Sequence, residues 1–405
     1  MHLLYFFNPG HETAVLLGTT NYTAPTNVRK MQHDLQFLPA WYANKDDLVW
    51  VDNITDSLKN LDFLPQDVQP TAIPVSLKSL KQYGTTDKIL AAPWGLSPHV
   101  LKLFERLKQD AKLEQLQVPI WNELFFQLTG RQSAAECLQH IHHEINDLPT
   151  PEAPHFCSNI KELTDFMATH KPPFVLKTPY SSSGRGLLWV ENHLLDIKTK
   201  KWIEGAINKQ KSISIEQGLK NRQDFAMEFY SDGKGNILFE GLSIFNTEKR
   251  GAYSGNILES QESMRKRLTK LINEQALSAT QEAVIKALKK IYSHVYKGYI
   301  GVDMLLYEQA DHTLAIHPCV EINMRYTMGM VALKLYQRYI DPESTGYYVI
   351  SFNKDKGDAL KMHEKQTLNE PLLIHNGKIK QGYLSLCPIN NETHYRAYLS
   401  IKQNK

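Results

Sequence analysis

The stretch from 174 to 190 constrains the fold of this chain more than any other. Two short apolar runs enclose a loop of small hydroxyl residues and glycines, and Lys177 ends the first run. The stretch therefore predicts a hairpin with strands over 173–178 and 187–191. A loop of small residues at 179–186, next to a lysine, suits a polyphosphate, because its backbone can approach a ligand closely. An ordinary surface hairpin is the alternative, and this stretch alone does not decide between the two.

A second stretch, Glu321-Ile322-Asn323-Met324-Arg325, has the alternation of a polar strand face. Because residues two apart share a face, Glu321, Asn323 and Arg325 project together, and Asp303 on the preceding strand of the same hairpin can join them. Two carboxylates and an amide oxygen are hard ligands that suit magnesium bridging phosphates. Arg325 can offset charge on a transferred phosphoryl group. His317 shares this face, and with Pro318 beside it we expect a packing role.

Composition narrows the class of protein. A chain of 405 residues is expected to hold two or three domains. Its net charge of +3 gives no general polyanion-binding signature. The four cysteines are far apart, which predicts a reducing, cytoplasmic location and argues against a cysteine-rich zinc site. No apolar run approaches the ~20 residues that span a bilayer, and the apolar start is predicted to be a first strand.

Residues 1–120 have the pattern of an α/β domain, with buried-type strands over 3–7, 48–51 and 88–92. Ser97 and Pro98 predict the N-cap and first position of a helix. Open α/β sheets bind ligands beyond the carboxyl ends of their strands. The candidate substrate contacts on this rule are Asn8, His11, Glu12 and Trp94. For His11 and Glu12 a capping or turn role is equally favoured.

The rest of the chain alternates helices and hairpins. Helices are predicted over 133–145, 160–169 and 202–207, with one long helical segment over 262–296. His140 and His143 have metal-ligand spacing, but a solvated helix face is favoured because no second ligand cluster accompanies them. Residues 370–405 predict a small β unit with Asn376-Gly377 as its turn.

The order of these motifs resembles the ATP-grasp family over residues 125 to 335. The lysine strand, the small-residue flap, the acidic hinge at 215–219 and the E-x-N-x-R strand follow the family's order. The resemblance implies a two-lobed ATP-grasp fold after an N-terminal Rossmann-like α/β domain, with a small C-terminal β unit. The implied domains are 1–120 (α/β), 121–214 (lobe with the flap), 215–345 (lobe with the metal site) and 346–405 (extension).

The resemblance also assigns roles to residues. Lys177 matches the lysine on the α- and β-phosphates, and Arg325 matches the arginine that stabilises the intermediate. The flap over the phosphates corresponds to Ser181, Ser182, Ser183, Gly184, Arg185 and Gly186. The nucleoside contacts correspond to Glu216, Gln217, Leu219, Asp224 and Leu305. The magnesium ligands correspond to Asp303, Glu321 and Asn323.

The roles of two cationic positions remain open. Lys249 or Arg250 would match an extra cation near the γ-phosphate in several family members. Arg131 stands near the position of an earlier phosphate-binding lysine, and either it replaces that lysine or it is a helix-start arginine.

The implied activity is an ATP- and magnesium-dependent ligation, with manganese as an alternative metal. A carboxylate would be activated as an acyl phosphate and then joined to an amine or a thiol. Small-molecule carboxylates and amines are the expected partners, with no nucleic acid or membrane, and the oligomeric state stays open, a homodimer included. The alternatives are a small-molecule kinase, a ligase that adds amino acids to a polypeptide, and a noncatalytic nucleotide-binding protein.

Overall fold

The computed structural model describes residues 1–59, 61–82, 87–181, 186–247 and 253–403. The chain divides into two compact units. Unit 1 comprises Met1–Trp121, Ser254–Ser260 and Met328–Lys405, and unit 2 comprises Asn122–Tyr253 and Gln261–Thr327. The division into four consecutive domains stays a prediction. No helix among the described residues is long and apolar enough to cross a membrane.

The N-terminal part of unit 1 is an α/β domain, as the sequence predicts, and its sheet is parallel. Its strands are β1 (His2–Phe6), β2 (Leu48–Trp50), β3 (Ile73–Val75), β4 (Ile89–Pro93) and β5 (Leu116–Gln117). They are ordered β3-β2-β1-β4-β5, and each pairs in parallel with its neighbours. The helices are α1 (His11–Leu17), α2 (Thr26–Leu35), α3 (Ile54–Leu58), α4 (Leu77–Leu80) and α5 (Pro98–Ala111), with 3-10 turns at Leu38–Trp41 and Gln66–Val68.

The start of α5 and the core beneath it follow from local sequence. Ser97 Oγ accepts a hydrogen bond from the Val100 amide, and Pro98 is the first helical residue, as predicted. The apolar face of α5 then buries Phe104 and Leu107 against Leu4 of β1 in the core of this sheet.

Unit 2 begins with an antiparallel sheet packed on helices. Its elements are α6 (Leu124–Thr129), α7 (Arg131–Glu144), β6 (His155–Cys157), α8 (Ile160–Thr169), β7 (Phe174–Lys177), β8 (Leu187–Val190), α9 (Ile197–Gln210) and β9 (Ile213–Gln217). The strand order is β6-β9-β7-β8. The predicted lysine hairpin is confirmed, because β7 and β8 pair antiparallel from Phe174 opposite Val190 to Lys177 opposite Leu187. Helix α9 is longer than the predicted 202–207.

A second antiparallel sheet completes unit 2. Its elements are β10 (Lys220–Asp232), β11 (Ile237–Thr247), α10 (Gln261–Thr269), α11 (Glu274–Ile291), β13 (Lys297–Glu308) and β14 (Leu314–Asn323). Within the unit the strands lie in the order β14-β13-β10-β11. The long helical segment predicted over 262–296 is divided in the structure. Two helices form instead, because the Asn273 side chain accepts from the Ala276 amide and starts α11 anew.

The remaining elements belong to unit 1, except that Tyr253 at the start of β12 belongs to unit 2. They are β12 (Tyr253–Leu258), α12 (Met328–Tyr339), β15 (Ser344–Phe352), α13 (Asp358–Asn369), β16 (Leu373–His375), β17 (Lys378–Ser385) and β18 (Tyr395–Gln403). The predicted Asn376-Gly377 turn joins β16 to β17, with positive φ at both residues, 48° and 70°. Trp41 Nε1 donates to the Leu386 carbonyl at 2.6 Å. This buried contact ties the C-terminal strands to the N-terminal part of the same unit.

Candidate active site

The candidate metal ligands meet on one face of the second sheet of unit 2. Asp303 on β13 lies directly opposite Glu321 on β14, and Gly301 lies opposite Asn323. Because alternate residues of a strand share a face, the side chains of Asp303, Glu321 and Asn323 project from the same side of the hairpin. The spacing of Asp303 and Glu321 along the chain is spanned by two long strands, of 12 and 10 residues.

Hydrogen bonds tie this set to the arginine that follows it. Asn323 Nδ2 donates to Asp303 Oδ2 at 3.1 Å. Arg325 Nη2 donates to Asn323 Oδ1 at 2.7 Å, and Nη1 donates to the Tyr326 carbonyl at 3.1 Å. The structure therefore brings together the four residues that the sequence grouped.

The electrostatics of the set favour a bound cation. Burial raises the pKa of Asp303, and the nearby charge of Glu321 raises it further, while Arg325 opposes both effects. Among the described residues no group of three or more His, Cys, Asp or Glu side chains is arranged around a metal. Two carboxylates and an amide nevertheless fit magnesium, which commonly takes one or two protein carboxylates and completes its shell with phosphates and water.

Glu228 on β10 is a site residue that sequence reasoning missed. It lies opposite Gly301, in the row that also holds Asn323, and is only 2% exposed. Thr327 Oγ1 donates to Glu228 Oε2 at 2.7 Å. Burial raises the pKa of Glu228 to about 8, so the carboxyl holds its proton at neutral pH. Asp224, Ala226 and Glu228 share one strand face, and this alternation is the sequence pattern that could have indicated Glu228.

Lys177 ends β7 in a buried position, paired with an acid of the neighbouring strand. Its Nζ forms an ion pair with Glu216 Oε1 of β9, and the two side chains are 8% and 13% exposed. His317 is also buried, and desolvation followed by the positive charge of Lys177 lowers its pKa to about 3. A neutral imidazole therefore shares this end of the site with the lysine.

Arg131, whose role the sequence left open, lies at the site. As the first residue of α7 it donates from Nε to the Thr178 carbonyl at 3.2 Å and from Nη2 to Ser181 Oγ at 3.4 Å. Its Nη1 lies 3.1 Å from Glu321 Oε2. Arg131 starts a helix and also connects the lysine strand to the metal-ligand strand.

A cavity of about 320 Å³ opens beside Glu216 in unit 2. Its wall includes the hinge residues Gln217 and Leu219, and apolar surface comes from Phe166 and Tyr307. Its volume is that of a small-molecule site. His317, for which the sequence predicts a packing role, is buried and also lines this cavity.

Two predicted nucleoside contacts lie on the strands next to the cavity. Leu305 shares a face of β13 with Tyr307, which lines the cavity, and stands opposite Asp224 of β10. Asp224 accepts from Thr247 Oγ1 at 2.8 Å and from Asn221 Nδ2 at 2.9 Å, and burial raises its pKa.

The flap residues are described only in part. Gly186 has φ +80°, and an added Cβ would stand 2.2 Å from Thr178 Oγ1, so a glycine is required there. The predicted residues Ser182, Ser183, Gly184, Arg185, Lys249 and Arg250 lie outside the described residues.

The candidate substrate residues lie in unit 1 and have different surroundings. The Asn8 side chain donates to the Gly95 carbonyl at 2.8 Å and accepts from the Gly95 amide at 3.3 Å. Trp94 is buried and packs edge-on against Phe7, with 5.1 Å between ring centroids. His11 and Glu12 are both buried. Asn8 and Trp94 therefore stabilise the turns that follow β1 and β4.

Comparisons with known proteins give the fold. No protein-family model and no curated protein matches the sequence. The chain is similar to Campylobacter jejuni biotin carboxylase in its β-γ-ATP complex, with a TM-score of 0.54 and 12% identity over 100% of this chain and 87% of that one. It is also similar to the biotin carboxylase domain dimer of Hydrogenobacter thermophilus 2-oxoglutarate carboxylase with MgADP, ADP and bicarbonate (TM-score 0.53, 12% identity, 100% and 86% coverage). The chain has the ATP-grasp fold of these enzymes.

Proposed function

We propose that this chain is an ATP- and magnesium-dependent ligase that joins a carboxylate to an amine or thiol through an acyl phosphate. One observation carries the proposal. In an ATP-grasp fold, the buried Lys177, Arg131 and the Asp303–Glu321–Asn323–Arg325 set converge beside a cavity of small-molecule size. Three cations beside the two carboxylates of the proposed metal set are suited to a polyanionic substrate with a divalent metal.

The cavity is the proposed site of the adenine ring. Phe166, Leu219 and Tyr307 supply apolar surface for the ring, and the hinge at Glu216 and Gln217 supplies polar groups for its edge. Asp224 is the proposed ribose contact. Lys177 and Arg131 are the proposed phosphate contacts, because both are cations held in fixed positions at the end of β7.

Asp303, Glu321 and Asn323 would hold the magnesium ion, which supplies neutralisation of phosphate charge when it is bound. Arg325 is held by Asn323 and stabilises the charge that develops on the transferred group. In the first step a carboxylate oxygen bonds to the γ-phosphorus, the bond from that phosphorus to the bridging oxygen breaks, and ADP leaves. In the second step the acceptor attacks the acyl carbon, phosphate leaves, and the acceptor loses a proton.

The test is to trap the activated carboxylate. The protein is incubated with ATP, magnesium, hydroxylamine and pools of small carboxylic acids, and both ADP and hydroxamate are measured. A ligase forms ADP and a hydroxamate in equal amounts with one of the pools, because hydroxylamine attacks acyl phosphates. The variant Lys177→Met should form neither, whereas Lys209→Met, an exposed lysine on α9, should behave as the wild type. ADP accompanied by a stable phosphorylated product and no hydroxamate would show a kinase instead.

A further inference from the structure

Unit 1 contains a second cavity, of about 60 Å³, at the carboxyl end of β1. It lies among α1, α2 and α5, and much of its wall is apolar, with Phe6, Val28, Val100 and Leu103. The space admits roughly four water molecules or a ligand fragment of similar size. It is separate from the residues assigned above to nucleotide and metal, all of which belong to unit 2.

His11 lines this cavity, and its buried ring has no hydrogen bond to any described residue. The residue is 2% exposed, and within the described part of the chain neither of its ring nitrogens has a hydrogen-bond partner. Buried polar groups are nearly always bonded, and leaving one unbonded has a free-energy cost. A ligand that bonds to the imidazole would recover that cost, so the ring is a polar anchor in a mainly apolar site.

The neighbouring backbone is shaped to hold the ring in place. A Cβ added at Gly95 would stand 2.4 Å from His11 Cγ, so only glycine lets the β4 end approach the imidazole this closely. The Asn8 side chain bonds to both backbone groups of Gly95 and fixes that turn. At Gly10 an added Cβ would stand 2.7 Å from Val28 Cγ1, so the chain before α1 also packs closely against α2. Both close approaches border the cavity.

The charges around His11 indicate the chemistry of the ligand. Its Nδ1 lies 3.2 Å from Glu12 Oε2, within ion-pair distance although outside hydrogen-bond geometry. Nδ1 faces this carboxylate, so Nε2 is the ring nitrogen available to a ligand. The residues that line the cavity include no lysine or arginine that would attract an anion. The complementary group is therefore a hydrogen-bond donor rather than an anion.

We propose that this cavity binds a small primary amine with a short apolar chain, whose amino group donates to Nε2 of His11. The chain would lie against Val28, Val100 and Leu103. Its role as the acceptor of the ligation rests on the proposed function, whereas the binding itself does not require nucleotide or metal.

The test uses the full-length protein without ATP or magnesium. Propylamine, isobutylamine and isopentylamine are titrated by calorimetry, and histidine ring ¹⁵N resonances are followed by NMR, with isovalerate as the probe of opposite charge. We expect saturable binding of at least one amine and a shift of the His11 Nε2 resonance, assigned through the variant His11→Asn. Isovalerate should cause neither.

Three variants test whether the amine binds in this cavity. His11→Asn should weaken the amine at least about tenfold, the equivalent of one lost hydrogen bond. His33→Asn changes an exposed histidine of the same unit and should leave the affinity unchanged. Ala24→Leu narrows the cavity while keeping His11, so it should also weaken amine binding. This variant tests the proposal if His11→Asn does not fold.

The proposal is overturned if no amine binds saturably to the wild type, if isovalerate shifts the same resonance as strongly, or if the variant that folds binds as the wild type does. MgATP binding is measured on the same preparation. If MgATP binds but no amine does, this site is rejected and the proposed function stands. If the amine binds but MgATP does not, the proposed function is rejected and this site stands.

Discussion

Arg131 Nη1 lies 3.1 Å from Glu321 Oε2, so the first residue of α7 is paired with a candidate metal ligand of β14. The two side chains are 10% and 26% exposed, which places the pair largely out of water. The same guanidinium bonds to the Thr178 carbonyl, one residue beyond Lys177. This contact joins the two sequence motifs from which the proposed function was built, the lysine hairpin and the E-x-N-x-R strand.

The Arg131→Met variant should bind MgATP about 10- to 100-fold more weakly than the wild type. The reason is the loss of a charge-assisted contact, worth about 1.5–3 kcal/mol, to the phosphates. Calorimetric titration with MgATP measures the effect. Arg106→Met, an exposed arginine of α5, is the control. Wild-type affinity in Arg131→Met would leave Arg131 with only a helix-start role.

Lys177→Met should abolish detectable nucleotide binding and also destabilise the protein, because Glu216 is left as an unpaired carboxylate that is 13% exposed. Breaking a buried ion pair costs about 3–5 kcal/mol. The double variant Lys177→Met/Glu216→Gln removes that unpaired charge. We expect it to regain most of the stability in thermal unfolding while binding no nucleotide. If the double variant bound MgATP as the wild type does, Lys177 would be a structural residue.

Gly301→Ala should destabilise the protein by about 1–3 kcal/mol and disturb the site, since overpacking a filled interior forces its neighbours to move. The added Cβ would stand 2.6 Å from Thr327 Cγ2 and 2.9 Å from Glu228 Oε2. Gly205→Ala is the matched control, because nothing lies within 4 Å of the added Cβ on helix α9. The control should be stabilised by about 0.5–1 kcal/mol, as expected for alanine in a helix. Equal unfolding midpoints for the two variants would contradict the packing at Gly301.

Glu228 predicts a pH dependence of stability. Its pKa is about 8 in the folded protein against an ordinary value of 4.5. Between these values the unfolded chain has released a proton that the folded protein keeps, so the free energy of unfolding falls as pH rises. The loss is on the order of a few kcal/mol up to pH 8.

Glu228→Gln keeps an acceptor for Thr327 but cannot titrate, so it should flatten this slope. Thermal unfolding of the nucleotide-free protein in EDTA, between pH 5 and 8, measures it. Glu282→Gln, an exposed position on α11, is expected to keep the wild-type slope. An unchanged slope in Glu228→Gln would show that this carboxyl is ionised in the folded protein.

Local patterns predicted much of this fold. The Lys177 hairpin, the Ser97 cap and the Asn376-Gly377 turn each depend on residues close together in sequence, and all are present. The break at Asn273 was missed because helical periodicity on both sides of it outweighed one capping residue. The face that carries Asp303, Glu321 and Asn323 was predictable because strand alternation is local.

Contacts between distant segments were not predictable. The pairing of Arg131 with Glu321 depends on where α7 lies relative to β14, and no spacing rule supplies that. Glu228 was missed for a similar reason. Its burial depends on Gly301 of the neighbouring strand and on Thr327 beyond the next one. The close approach of Gly95 to the ring of His11 likewise joins segments that are distant in sequence.

The most direct test of the central claim is a calorimetric titration of ATP with and without magnesium, on the wild type and on Glu321→Gln. We predict one nucleotide bound per chain, with an affinity that magnesium raises at least about tenfold in the wild type. In Glu321→Gln, which lacks a carboxylate of the proposed metal set, that enhancement should largely disappear. Wild-type protein that binds no ATP, or a magnesium effect that Glu321→Gln retains in full, would contradict the account.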